Sequence, residues 1–475
     1  MGVEGRSLTE HSEPKKAAPR KSDAAAADGL PTPRRYWAIT VLMLGLTVTV
    51  LDGTMSNVAL PAISNSLGIP ASQTVWVVLA YSLTVVGCML PLSALAERTG
   101  FQRMWTAGMV LFLLGSLSSS MSTSMVHLII SRMCQGLGAA MVMCLFGGIM
   151  RYTYPLAKLA AGLSLNAFMV GLMSVLGPSL GALILQWFTW PVIFLINVPL
   201  IVVSLFGVKN LPDGPRRSGA FDWMASALSA ALFATALFGL ESLGRHPFIA
   251  LGCLAVAAIL AWVIVRRSWG QPAPVVPIDL LRVRSVGYAV GASALFFAAQ
   301  MSTFVSLPFY FKAAYGASYS EIGLYLGAWA VGAAVMAPVS AYMSGRYPVS
   351  LLCAAGASVL SVGLLGVLLA PSHIGAWWLC ACMLMAGTGF GFFQTPNNRA
   401  MLGDIPRHRS GAAGGMQSTT RVFGQGIGTA FVGLAFQLSS EHGATIGASV
   451  AIVFALGALA VNITRWMDPT PDARF

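Results

Sequence analysis

Residues 36–60 read YWAITVLMLGLTVTVLDGTMSNVAL, twenty-five positions with a single charge, Asp52. About 20 apolar residues in a helix cross the hydrocarbon core of a bilayer. In lipid the backbone must satisfy its own hydrogen bonds, which a helix does within one segment. The stretch is therefore expected to be a membrane-spanning helix that carries a carboxyl into lipid depth. Runs of the same kind recur along the chain, at 73–95, 104–122, 125–150, 159–186, 190–208, 222–241, 247–265, 286–311, 320–344, 350–370, 374–398, 410–437 and 444–465. With 36–60 they make fourteen expected spans. Composition agrees. The 475 residues are 56% hydrophobic and 9% charged, whereas soluble domains carry about 25% charged residues. The 50 glycines suit helices that approach closely in lipid. The expected fold class is an all-α polytopic membrane protein.

Basic residues gather in cytoplasmic loops of membrane proteins. With the N-terminal tail placed inside, twenty-four of the 28 Lys and Arg fall on the cytoplasmic side. Arg245 and Lys312 fall outside, and Arg132 and Arg421 fall within spans. A miscounted helix would scramble this asymmetry, so both termini are expected in the cytoplasm. Residues 1–33 read by composition as a disordered basic tail, not a cleavable signal peptide. Pro91-Leu-Ser-Ala in span two is echoed by Pro338-Val-Ser-Ala in span ten, and a Gly-rich stretch at 162–181 by another at 411–433. These repeats divide the chain into a six-helix bundle at 34–208, an inserted hairpin with its linkers at 209–285, a second bundle at 286–467 and a short tail at 468–475. Parallel halves of this kind are a transporter architecture. The polar segment 266–285 reads as a linker, with a short interfacial helix at Ile278–Arg282.

A charge at the bilayer centre costs roughly 3 kcal/mol or more, so each one there is a candidate functional group. Asp52 and Arg132 lie at similar depths, roughly 12 Å and 10 Å from the outer ends of spans one and four. Pairing lowers the burial cost of both. A carboxyl whose partner and hydration change between two states can load and release a proton. Arg421 lies in span thirteen with Gln417 beside it and no acid at matching depth. It either binds an anionic substrate in a central cavity or pairs with backbone carbonyls. Gln300, Asn166, Phe297 and Met133 complete the expected cavity set, polar groups for hydrogen bonds and soft apolar ones for varied cargo. In span five, Gly171, Gly177 and Gly181 permit close helix contact, and Pro178 kinks the helix.

Other classes are excluded. The net charge of +12 lies in short tracts between apolar runs, leaving no basic face for nucleic acid. There is no Walker loop, no paired catalytic carboxylates and no metal-ligand set, so the chain reads as no enzyme, with no cofactor and an ion gradient as its energy source. The seven cysteines all fall inside apolar runs and read as packing groups rather than disulfides or metal ligands.

The motifs resemble the major facilitator superfamily, and within it the fourteen-span drug:proton antiporter group. Leu51–Pro61 is similar to that group's first-helix signature. Ser93–Arg103 is similar to the superfamily's loop signature, with Ser93 where Gly is usual and Glu97 where Asp is usual. Ile130–Gly138 resembles the span-four signature, Gly171–Gly181 the exporter signature, and Phe194–Pro199 the span-six pattern. The resemblance implies two six-helix bundles plus an inserted two-helix hairpin, alternating access, and proton entry driving efflux across the cytoplasmic (inner) membrane. It implies proton coupling by Asp52 and Arg132, a cytoplasmic gate of Glu97, Arg98 and Arg103, and an exporter hinge of Gly171, Gly177, Pro178 and Gly181. The expected partners are a small organic substrate, protons, the lipid bilayer and a periplasmic adaptor protein. The lone Arg421 favours neutral or anionic cargo over multivalent cations. A dedicated metabolite or natural-product exporter is the alternative, and a nutrient-uptake symporter a more distant one.

Overall fold

The computed structural model describes residues 29–155, 159–213, 223–269, 276, 278–371, 375–403 and 410–468. Outside this set lie the tail residues 1–28 and 469–475, the side chains of Glu97 and Asn166, and the surroundings of Gly171. Among the described residues the secondary structure is helical, with no strand.

The first half runs α1 (Thr32–Leu67), α2 (Ala71–Thr74), α3 (Trp76–Thr99), α4 (Phe101–Ser120), α5 (Met125–Thr153), α6 (Leu159–Trp187), α7 (Pro191–Leu195) and α8 (Asn197–Gly207). A hairpin follows, α9 (Trp223–Ser242) and α10 (Pro247–Ser268), then the short α11 (Ile278–Leu281). The second half is α12 (Arg284–Tyr315), α13 (Tyr319–Met343), α14 (Val349–Leu368), α15 (Ala376–Gly403), α16 (Ser410–Leu438) and α17 (Gly443–Met467). Eleven of the helical segments are long and apolar enough to cross a membrane, by length and composition. Helices α4, α6 and α16 occupy the other three expected positions. Polar residues dilute α16, which carries Gln417, Arg421 and Gln425.

The sixth run is broken after Leu195. Pro199 has no N–H to give the Leu195 carbonyl, so the helix restarts at Asn197. Helices α1 and α12 both end on a left-handed glycine, Gly68 at φ 63° and Gly316 at φ 62°, and both contain a proline within the last turns, Pro61 and Pro308. A side chain at those glycines would meet the Cβ penalty of the left-handed region.

The halves repeat their packing. Helix α1 packs on α6 and α8 as α12 packs on α16 and α17, and α5 packs on α3 and α4 as α15 packs on α13 and α14. Between the halves α1 meets α12, α6 meets α13 and α3 meets α16. Call the end where α1 begins and α17 finishes the near end, and the opposite one the far end. A continuous apolar core joins the far parts of α1, α3 and α6 to the second half. A separate core holds the near part of the first half together. The hairpin helix α9 packs on α3 and on α16, bridging one seam between the halves.

Candidate functional site

Asp52 and Arg132 are both fully buried, and Arg132 Nη1 lies 2.5 Å from Asp52 Oδ2. Besides α1, which carries it, two helices converge on this carboxylate, α5 and α8. Gln135, one helical turn after Arg132 on α5, donates from Nε2 to Asp52 Oδ1 at 3.2 Å. Asn197, at the restart of the broken sixth run, donates from Nδ2 to the same oxygen at 2.8 Å. Arg132 also donates from Nε to the Val77 carbonyl at 3.0 Å and from Nη1 to Gln135 Oε1 at 3.0 Å. Gln135 is fixed in turn by Ser116 and Ser119 of α4, at 2.9 and 3.1 Å. The guanidinium lies over the Tyr81 ring at 4.5 Å and the Phe194 ring at 5.5 Å. Its Nη2 is left without a hydrogen-bond partner. A buried ion pair is tolerated when hydrogen bonds satisfy its remaining atoms. Here α3, α5 and α8 supply hydrogen bonds around the pair, and α4 holds Gln135 in place.

Tyr81 forms a wall between this cluster and a small chamber. Its hydroxyl donates to the Thr49 carbonyl, 3.1 Å away and one turn before Asp52. The chamber holds about 40 Å³ and is lined from both halves: Thr49, Gly53 and Thr54 of α1, Tyr81 and Ser82 of α3, Met143 of α5, Met301 of α12, and Arg421 and Gln425 of α16. Arg421 is half-buried there, and the lining contains no carboxylate. No hydrogen bond or ion pair holds its guanidinium among the described residues, which leaves it directed at the chamber's contents.

Of the expected cavity set, Arg421 lines this chamber and the other described members do not. Met133 turns outward with 49% of its surface exposed, because one residue beyond Arg132 is 100° around the helix. Phe297 is buried against Phe390, ring centroids 6.1 Å apart, and Gln300 is buried away from the chamber. Gln417 is half-buried and does not line it. Asn166 lies outside the described side chains. Met143 and Met301 supply the soft apolar surface instead.

Gly177 and Gly181 bring α6 onto α1 beside the acid. A Cβ at Gly177 would overlap the Thr54 hydroxyl, and one at Gly181 would sit 3.1 Å from the Met55 carbonyl. Pro178 is buried between them. In the loop between α3 and α4, Gly100 has φ 92°, and a Cβ there would lie 2.7 Å from the Asp213 carboxylate. Arg103 is exposed and Arg98 half-buried, while Gln102 donates to the Leu211 carbonyl at 2.7 Å.

Sequence reading missed Gln135 as a ligand of Asp52, and it missed Tyr81, Ser116 and Asp213. Neutral polar residues are frequent in spanning helices, and nothing in their spacing shows which one faces an acid. Asn197 was visible in the span-six pattern but carried no assigned role.

A profile of the Major Facilitator Superfamily matches residues 42–429. The chain belongs to that superfamily. Among curated relatives, this facilitator is 36% identical over 453 residues to the uncharacterized transporter YebQ of Escherichia coli K12, covering 94% of this chain and 99% of YebQ. It is 29% identical over 413 residues to the riboflavin transporter RibZ of Clostridioides difficile, covering 86% and 90%. It is 25% identical over 413 residues to the multidrug efflux pump LfrA of Mycolicibacterium smegmatis, covering 85% and 82%. The fold is shared with a crystal structure of the peptide transporter POT in complex with sulfate, at TM-score 0.68 and 18% identity over 94% of this chain and 99% of that one. The superfamily assignment makes the chain a multi-pass membrane transporter rather than an enzyme.

Proposed function

We propose that this facilitator is a proton-coupled exporter of drugs or other small organic molecules, working by alternating access across the cytoplasmic membrane. The observation that carries the reading is the fully buried Asp52, held by Arg132 and Gln135 of α5 and by Asn197 of α8. A carboxylate this well bonded is stable when charged and also has partners that can rearrange around a proton. Gly53 and Thr54, which follow Asp52, form part of the chamber wall, and Tyr81 touches both sites. Protonation of Asp52 releases Arg132 and loosens that shared wall, so proton binding and cargo binding compete through it. In this reading the chain crosses fourteen times with the near end in the cytoplasm, and the far-end core supports a conformation closed on the outer side. Glu97, Arg98 and Arg103 serve as the cytoplasmic gate, and Gly171, Gly177, Pro178 and Gly181 as the hinge.

The chamber favours cargo with an apolar body and a neutral or anionic head. Arg421 supplies the charge, and the absence of an acid from the lining speaks against cations. A dedicated exporter of one metabolite is the second reading, favoured by the likeness to a riboflavin transporter. Transport into everted membrane vesicles with an imposed proton gradient tests the proposal. Accumulation should collapse on adding an uncoupler. Accumulation that survives the uncoupler rejects antiport, and uptake into right-side-out vesicles instead supports a symporter.

A further inference from the structure

The hairpin helix α10 packs on α9 and buries few residues, Ala250, Ala257 and Ile264 among them, so most of its surface is exposed. Its near end differs from the rest. Trp262 and Trp269, 58% and 66% exposed, flank a hollow of about 450 Å³ completed by Val265 and Arg266. The Arg266 guanidinium lies over the Trp262 ring at 5.0 Å. From beyond α11, Arg282 lies over the Trp269 ring at 4.0 Å. Neither arginine has a carboxylate within ion-pair distance among the described residues.

We infer that this hollow is a binding site for the headgroup of an anionic phospholipid in the leaflet at the near end. A guanidinium offers paired N–H donors matched to phosphate oxygens, and stacking on an indole holds its plane fixed beforehand. One such group lines the hollow and the second stacks on its Trp269 wall, and neither has a carboxylate within ion-pair distance among the described residues, which defines a place for a phosphodiester. Tryptophan is at home where acyl chains meet headgroups. Ile259, exposed one turn deeper on α10, continues the surface into acyl depth. A zwitterionic lipid brings its own ammonium, which the two arginines repel. A glycerol headgroup does not, so the site selects net negative charge. Basic pockets at the cytoplasmic edge of spanning helices bind anionic headgroups in this way.

Native mass spectrometry of the full chain, released from detergent containing equal phosphatidylglycerol and phosphatidylcholine of the same acyl composition, tests the site. Attraction of about fivefold per arginine predicts a preference of roughly 25-fold for phosphatidylglycerol. Arg266→Gln or Arg282→Gln should each lower it about fivefold, and the double substitution should abolish it. R266K/R282K should retain part of it, since the charge stays and the flat stacked fork is lost. All these positions are exposed, so an unchanged gel-filtration profile is expected and separates lost binding from lost folding. Equal retention of the two lipids by the wild type, or undiminished phosphatidylglycerol on R266Q/R282Q, overturns the inference. Complete displacement of the lipid by millimolar inorganic phosphate also overturns it, by making the hollow a site for the free ion.

Discussion

At the scale of single residues, the Asp52 carboxylate separates coupling from scaffold. Asp52→Asn removes the carboxylate paired with Arg132 and leaves a buried cation. Breaking one side of a buried pair costs about 3–5 kcal/mol, so the variant should unfold at lower temperature but remain folded within its bundle. Proton-driven transport in everted vesicles should be lost, and full activity would remove Asp52 as the coupling group. Arg132→Lys keeps the charge but cannot reach Val77, Asp52 and Gln135 together, so it should lose most activity as well. Arg421 is different, because no hydrogen bond or ion pair holds it among the described residues. Arg421→Gln should leave thermal stability unchanged or raised and should selectively weaken transport of anionic cargo, read as a rise in KM over a matched neutral compound. Asp52, Arg132 and Arg421 were legible in the sequence because a charge inside an apolar run is conspicuous. Gln135 and Tyr81 were not, because their roles depend on the rotational phase of α5 and α3, which period and composition leave open. The exchange of Met133 for Met143 has the same cause: both lie on one apolar helix, and only packing decides which faces the chamber.

At the scale of elements, helix contacts turn on small residues and on one unforeseen acid. Gly177→Val should push α6 off Thr54 and displace the turn of α1 that carries Asp52. Overpacking of this kind costs about 1–3 kcal/mol. The expected result is reduced stability together with reduced transport, whereas Gly415→Ala, where a Cβ meets open space, should leave both nearly intact. Glu241 near the end of α9 accepts from Trp76 Nε1 at 2.8 Å and from Gln437 Nε2 at 2.9 Å, so the hairpin is bonded to both halves at the far end. Glu241→Ala should loosen that end. A probe cysteine placed at Ser439 in a cysteine-free background would then react faster with an impermeant thiol reagent. Unchanged reactivity would mean that the apolar core alone holds the seal. Helix positions were largely readable from run lengths. The break at Leu195 was not, because Pro199 acts through the carbonyl four residues before it.

At the scale of the molecule, topology is testable without knowing the cargo. Single cysteines in place of Arg245 and of Arg346 should be labelled from opposite sides, Arg245→Cys from outside intact cells and Arg346→Cys only after permeabilisation. Labelling of both from one side would break the fourteen-crossing scheme. The division into repeated halves showed in the sequence only as short echoes, around Pro91 and Pro338 and between the Gly-rich stretches 162–181 and 411–433. In the structure it appears as matching helix partners, a pattern made by distant contacts that no local window contains.

The hairpin also sets a kinematic constraint. Helix α9 leans on α3 through Ala230 beside Gly87 and through Phe238 beside Trp76, and on α16 through Phe233 beside Phe423 and Leu237 beside Gly426. When two bodies rock apart, a third that grips both cannot ride rigidly with each. Under the proposed alternating access it would travel with one and slide on the other, and the single Glu241 oxygen shared by Trp76 and Gln437 would release one of them on every stroke. The two flanks of the transporter are then mechanically unequal: the α6–α13 flank is a direct contact of the two halves, and the α3–α16 flank turns against a brake.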